Sequence, residues 1–362
     1  MLRGAIIGYG FIAANGHVPA LLERAHLVAI ADICEARREV ARKTLPGARI
    51  YADYRDLLQA EISNLDFVDI ATPPCDHAEI AHAALDQGLH VLCEKPLATC
   101  STDASSLLQH AISARRVIFP CHNYKHAPVV RAVREILTSG TVGRVRSVTL
   151  NTFRTTHAKG VPEWNTDWRR QLKYSGGGIA MDHGSHTFYL AFEWMGSYPI
   201  AISAKISTLS PRLGPPDSRP PSDTEDNVSA VLTFPGGMAS AQLSWTAGVR
   251  KVIYAIQGEK GAITIDDDDL QIALAHRASE RRTISSSWMD ASHAGWFRSL
   301  FDDFTEAIAR AQFVGKDAFE AYLCVDVISQ IYRSSAEECR EVPLPGGRYL
   351  AVEPEEDREN QK

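Results

Sequence analysis

The sequence predicts an α/β protein in two parts, a doubly wound parallel sheet followed by an α+β domain whose sheet is mainly antiparallel. Three observations predict it. Up to about residue 122, short and nearly unbroken apolar runs alternate with helical stretches, the texture of strands buried on both faces between helices. From 123 onwards the apolar runs partly alternate with polar positions and are joined by short turns, the texture of hairpins. At 362 residues, 45% hydrophobic and 23% charged, the chain can bury two cores of ordinary size.

In the first part the expected strands are Gly4 to Gly8, Leu27 to Asp32, Phe67 to Thr72, His90 to Cys93 and Val117 to Pro120. Helices are expected over Gly16 to Arg24, Ala36 to Leu45, Tyr54 to Ala60, His77 to Gln87 and Thr102 to Ala114. A helix from Ala127 to Ser139, stopped by Gly140, leads into the second part. There Val145 to Thr156, Ile200 to Thr208, Asn227 to Phe234, Met238 to Thr246, Lys251 to Gln257 and Ala262 to Ile265 read as strands. The proline-rich interval Ser210 to Asp223 reads as an exposed loop. Phe297, Leu300, Phe301, Phe304 and Ile308 mark the apolar stripe of one closing helix, and Tyr322 to Ala336 forms another. The expected division is residues 1–122, 123–350 and an acidic tail, 351–362.

The net charge of −6 argues against a nucleic-acid partner and offers no basic anchor for a membrane. No window approaches the run of about 20 apolar residues that spans a bilayer, and the N-terminus reads as a strand rather than a signal. The seven cysteines contain no CxxC, so reduced thiols and a cytoplasmic location are expected.

Gly8-Tyr9-Gly10-Phe11-Ile12-Ala13 is a GxGxxA element between a strand and a helix. Gly8 suits a tight turn, Gly10 lets backbone approach a pyrophosphate, and Ala13 permits close packing, with Phe11 and Ile12 beside the bound group. Asp32 ends the second strand, where a carboxylate accepts hydrogen bonds from ribose hydroxyls and repels a 2′-phosphate. NAD is therefore expected over NADP, with Arg37 and Arg38 read as helix-surface arginines. Three more segments fall at carboxyl ends of strands, where an open parallel sheet binds ligands. They are Thr72-Pro73-Pro74-Cys75-Asp76-His77, Glu94-Lys95-Pro96 and Pro120-Cys121-His122-Asn123-Tyr124. From them Thr72, Pro73, His77, Glu94 and Lys95 are expected at the cofactor.

With these motifs, and with the GGGxxxDxGxH run from Gly176 to His186, the sequence resembles the Gfo/Idh/MocA family over nearly its whole length. The resemblance implies a Rossmann domain followed by a domain with a large open-faced sheet, often used to form dimers or tetramers. It implies that Lys95, Asp182 and His186 are catalytic. His186 would be the base that takes a hydroxyl proton, Lys95 would donate to the same oxygen, and Asp182 would orient the substrate. The substrate would be a sugar, cyclitol or related polyol. Asn123 and Tyr124 stand in a stretch that lines the cleft in relatives and are expected at the substrate. Trp164, Asp167, Trp168 and Arg169, just ahead of the glycine run, read either as a sugar-stacking or anion-binding wall or as core, and His157 and Lys159 as within reach of the same cleft. Lys125 stands where many relatives carry Arg, leaving its role open, and His183 is expected to face solvent.

Other readings stand beside this one. Asp182, His183 and His186 are side chains that zinc accepts, but no cysteine ligand or HExxH accompanies them, so no metal is expected. The same fold also supports redox-neutral elimination or epimerisation with retained NAD, and, less readily, an NAD sensor without catalysis.

Overall fold

The computed structural model describes residues 1–209, 222–286, 288 and 290–345. The acidic tail and most of the proline-rich interval lie outside them.

Six parallel strands form the first sheet: β1 (Leu2–Ile7), β2 (Ala25–Ala31), β3 (Arg49–Tyr51), β4 (Phe67–Ile70), β5 (His90–Cys93) and β6 (Ile118–Pro120). Their order is β3-β2-β1-β4-β5-β6, so the winding reverses between β1 and β4 and opens a crevice at their carboxyl ends. β4 and the last three residues of β5 are fully buried, which explains their apolar texture, broken in β4 by Asp69 alone. The connecting helices are α1 (Val18–Arg24), α2 (Glu35–Thr44), α3 (Tyr54–Glu61), α4 (His77–Asp86) and α5 (Ser101–Ala114). The sequence reading passed over β3, whose three residues include an exposed arginine.

After α6 (Pro128–Thr138), nine strands build the second sheet. They are β7 (Val145–Phe153), β8 (Ala201–Ser207), β9 (Asn227–Phe234), β10 (Gly237–Ser244), β11 (Lys251–Gly258), β12 (Gly261–Asp266), β13 (Asp269–Leu274), β14 (Glu280–Thr283) and β15 (Val342–Pro343). All neighbours pair antiparallel except β7 and β10, so the mainly antiparallel expectation holds with one parallel pair at the centre. One face packs on α8 (Ser185–Met195) and α10 (Lys316–Ala336); the other exposes Val231, Met238 and Ile253. A short helix, α7 (Leu172–Ser175), precedes the glycine run.

The closing helices do not stay with the second sheet. Phe297, Leu300, Phe301 and Phe304 of α9 (Ala294–Ala309) join Ile6, Phe67 and Phe119 in one buried cluster against the first sheet. In α10, Leu323, Val327 and Ile328 belong to the core of the second sheet, while Ala318 and Ala321 belong to that of the first. Chain order and packing therefore part company after residue 293. Among the described residues no helix is long and apolar enough to cross a membrane.

Candidate active site

A cleft of about 940 Å³ runs along the carboxyl ends of the first sheet and up to the edge of the second. Gly8 stands at its floor with φ +92°, and a Cβ there would lie 2.8 Å from the backbone of Ala71 and Thr72, so only glycine fits. Gly10 faces open space. Asp32 also lines the cleft; its carboxylate accepts from Tyr9 N (2.6 Å) and Cys34 N (2.7 Å), fixing the end of β2 to the glycine turn. Burial pushes Asp32 above the usual carboxylate range, against the pull of those two N–H groups. Phe11, Ile12, Thr72, Pro73, Glu94 and Lys95 line the same space.

The arrangement fits a dinucleotide on observations of its own. Thr72 Oγ1, Asn123 Oδ1 and His183 Nδ1 are buried atoms of cleft residues without a hydrogen-bond partner among the described residues. Buried polar atoms are rarely left so unless a ligand or water completes them.

At the far end, Lys95 Nζ donates to the backbone carbonyl and to Oδ1 of Asp182, both at 2.9 Å. Burial opposes the Asp182 charge, but Lys95 and then Arg169, 3.4 Å away, hold it well below the usual carboxylate range. Asp182 sits in a π-helical turn, Ala180–Gly184, that runs directly into α8, and His186 follows in that helix. Such wide turns recur at functional sites, and this one leaves Asp182, His183 and His186 all on the cleft wall. The His186 ring stacks on Tyr124 at 3.9 Å, and its Nδ1 lies 2.8 Å from the Tyr189 hydroxyl. Burial, then the Lys95 charge, pushes His186 well below the usual histidine range, so the ring is neutral at pH 7.

The glycine run makes close packing possible. A Cβ on Gly178 would collide with the Glu225 carbonyl, and one on Gly177 with the Tyr332 hydroxyl. The Glu225 carboxylate accepts from Gly178 N (2.9 Å) and Ala180 N (2.9 Å), closing the start of the turn that carries Asp182.

Two family profiles match the chain, one described as an oxidoreductase family with an NAD-binding Rossmann fold over residues 2–122, the other as the GFO/IDH/MocA C-terminal domain over residues 130–264. An uncharacterized oxidoreductase of Synechocystis is 31% identical over 282 residues, 75% of this chain and 73% of that one. The chain belongs to the Gfo/Idh/MocA family. Levoglucosan dehydrogenase of Pseudarthrobacter phenanthrenivorans is 26% identical over 326 residues, 81% of this chain and 80% of that protein. A structure of levoglucosan dehydrogenase with NADH and levoglucosan has a TM-score of 0.81 at 24% identity, covering 95% of this chain and 99% of that one. An oxidoreductase domain protein of Kribbella flavida aligns with a TM-score of 0.82 at 22% identity, covering 95% and 99%. At these identities the structures show the fold. The profile over residues 2–122 makes this Gfo/Idh/MocA chain an oxidoreductase with an NAD-binding Rossmann domain.

Several expectations need correcting. His77 does not line the cleft; it is fully buried, with its ring nitrogens 2.8 Å from Pro96 O and 2.9 Å from Thr72 O, and so braces two cleft loops against each other. Arg37 is not a surface arginine: it is 8% exposed, donates to Tyr9 O (2.8 Å) and pairs with Glu163 (3.2 Å). His183 lines the cleft rather than solvent. Lys125 lies buried between Asp317 and Glu320, outside the cleft lining. Trp164 and Trp168 are partly exposed on the cleft wall, with Arg169 over the Trp168 ring. Among the described residues two other clusters have metal-ligand spacing, His17 with Glu94 and Cys121, and His122 with Asp317 and Glu320; the second already holds the Lys125 ammonium.

No sequence signal pointed to His17. It sits buried beneath the glycine turn, 2.8 Å from Asp69 and 3.2 Å from Glu94, stacked on Phe297. Glu94 in turn accepts from Lys95 N at 3.0 Å. Burial works against the His17 charge, yet the two carboxylates, Asp69 foremost, raise it to about 9.

Proposed function

We propose that the protein oxidises a secondary hydroxyl of a sugar, cyclitol or related polyol, or reduces the corresponding ketone. The observation that carries this reading is the convergence of Lys95, Asp182 and His186 on one wall of the cleft that also holds the glycine turn and Asp32. The relationship to levoglucosan dehydrogenase supports a sugar-like substrate. Bound NAD supplies the hydride acceptor at its nicotinamide ring.

The chain's own residues handle the proton and the oxygen. An ammonium has three N–H donors. Two of those of Lys95 are engaged by Asp182, which leaves the third for the reacting oxygen. There it stabilises negative charge as the hydroxyl proton leaves. Tyr189 Oη already accepts from Tyr124 N at 3.2 Å, and it accepts again from Nδ1–H of His186 in the tautomer that leaves Nε2 free. That lone pair takes the hydroxyl proton in oxidation; the imidazolium returns it in reduction. Asp182 holds the Lys95 side chain in place. Asn123 and Arg169 offer further polar contacts to a polyol, with Trp164 as an apolar wall beside them.

The test is absorbance of NADH while purified protein and NAD meet neutral and acidic sugars and cyclitols. NADH formation that disappears in Lys95→Ala is expected. Absence of NADH from every polyol, with NAD bound by calorimetry, overturns the reading.

A further inference from the structure

Arg154 follows the last residue of β7 and Arg250 precedes the first residue of β11. These strands are antiparallel neighbours with Phe153 opposite Lys251, so the two arginines come next to each other in the register. Both line the cleft at its substrate end. Like charges directly opposite on paired strands repel, so the pairing is unfavourable unless something negative lies beside it. Among the described residues neither arginine has an ion-pair partner. Arg154 is 6% exposed and spends Nη1 on the carbonyls of Phe153 (2.8 Å) and Lys251 (3.3 Å); Arg250 donates to the Trp288 carbonyl. The carboxylates of the cleft and its border are engaged elsewhere: Asp182 by Lys95 and Arg169, Glu94 by His17, Asp53 and Glu79 by Arg55, and Asp32 by backbone N–H groups. Asp267, whose charge does act on Arg250, pairs with Lys251, and Asp290 accepts from Ser292. Asp167 nearby is held by Lys159 and His157. His293, 8% exposed and part of the same wall, leaves Nδ1 unpartnered. Burial, opposed by the Asp290 carboxylate and aided by the charges of Arg250 and Arg154, pushes His293 down to about 4, so it is a neutral ring beside two cations.

We propose that Arg154 and Arg250 form an oxyanion subsite, with His293 beside it, so that the substrate is a polyol carrying a carboxylate or phosphate rather than a neutral sugar. This rests on the dehydrogenase reading above and names the class of substrate that the same cleft takes. A guanidinium presents a planar fork that matches either group. The anion anchors one end of the polyol and leaves a hydroxyl further along the chain for Lys95 and His186.

The test compares each anionic polyol with its neutral counterpart by calorimetry on the protein saturated with NADH, which reads binding without turnover. D-gluconate is set against sorbitol, D-glucuronate against D-glucose, and D-glucose 6-phosphate against D-glucose. At least one anionic member is expected to bind tenfold or more tightly than its counterpart; the carboxylate and phosphate arms tell which oxyanion is preferred. In Arg154→Gln that preference should shrink to within threefold, with NADH affinity and melting temperature unchanged. Should Arg154→Gln fail to fold, Arg250→Gln is to show the same loss. Neutral members binding as well as or better than every anionic one, or a preference surviving in both folded variants, overturns the proposal. NADH production from neutral sugars together with no anionic preference leaves the dehydrogenase reading standing and removes this one alone.

Discussion

Removal of the Lys95 ammonium is the perturbation whose size the structure fixes best. Its Nζ stands 2.9 Å from Asp182 Oδ1, and the side chains are 13% and 12% exposed. At that separation the attraction is roughly 6 kcal/mol for an effective dielectric near 20, offset by several kcal/mol of desolvation for each ion. The net worth of the pair is therefore smaller than its attraction, and either member alone is a poorly compensated buried charge. Lys95→Met should cost about 3 kcal/mol, at the low end of what a broken buried pair costs because Arg169 remains 3.4 Å from Asp182. Asp182→Asn should cost a similar amount. Lys95→Met with Asp182→Asn should fall well short of the sum, giving a coupling of about 2 kcal/mol. The assay is urea unfolding of the four proteins at pH 7, followed by circular dichroism. The same Lys95→Met protein should show kcat lowered roughly 10²–10³-fold, the cost of losing one donor to a developing oxyanion. Additive losses, or turnover within threefold of wild type, would refute the reasoning.

Four other outcomes are expected. His186→Ala should lower kcat roughly 10²–10⁴-fold with NAD affinity unchanged. In the wild type the acid limb of kcat/KM should fall below pH 6.5, because burial and Lys95 disfavour the charged ring; a limb at or above 6.5 contradicts this. Asp32→Ser with Ile33→Arg should move selectivity toward NADP, since Ile33 is exposed on the cleft and Asp32 fixes the turn; unchanged NAD/NADP ratios in steady-state kinetics speak against the ribose role. His17 is raised from 6.5 to about 9, so its contribution, about 3 kcal/mol, is complete below pH 6.5 and lost as pH rises through 9. Wild type should lose melting temperature across that window while His17→Gln does not; parallel pH profiles for the two proteins would show that the charge is not there.

Local patterns carried most of the fold because its strands are either buried on both faces or cleanly alternating. Asn227–Phe234 is read from its alternation to the residue, and its burial alternates accordingly. Of the strands that escaped, Glu280–Thr283 is exposed throughout, and Arg49–Tyr51 and Val342–Pro343 are only three and two residues long; Asp269–Leu274 escaped although Leu270 and Ile272 alternate into the core. The site divides in the same way. Lys95, Asp182 and His186 stand in contiguous motifs, so the sequence points to them before any cleft is seen. Arg154 and Arg250 become neighbours only through the register of β7 and β11, His17 matters because Asp69 and Glu94 close on it, and Glu225 because the glycine run folds onto it. Juxtapositions of that kind leave no trace in spacing.

The return of α9 to the first sheet has a consequence for inheritance. Phe297, Leu300, Phe301 and Phe304 complete the cluster around Ile6 and Phe67, and Ala318 and Ala321 of α10 lie in the core on the sheet's other side. A recombination event joining residues 1–122 to another protein's remainder would strip both layers away unless the incoming segment brought equivalent helices in matching shape. The first 122 residues are thus not a free module to be traded: the layers that cover their sheet on both sides come from the far end of the chain.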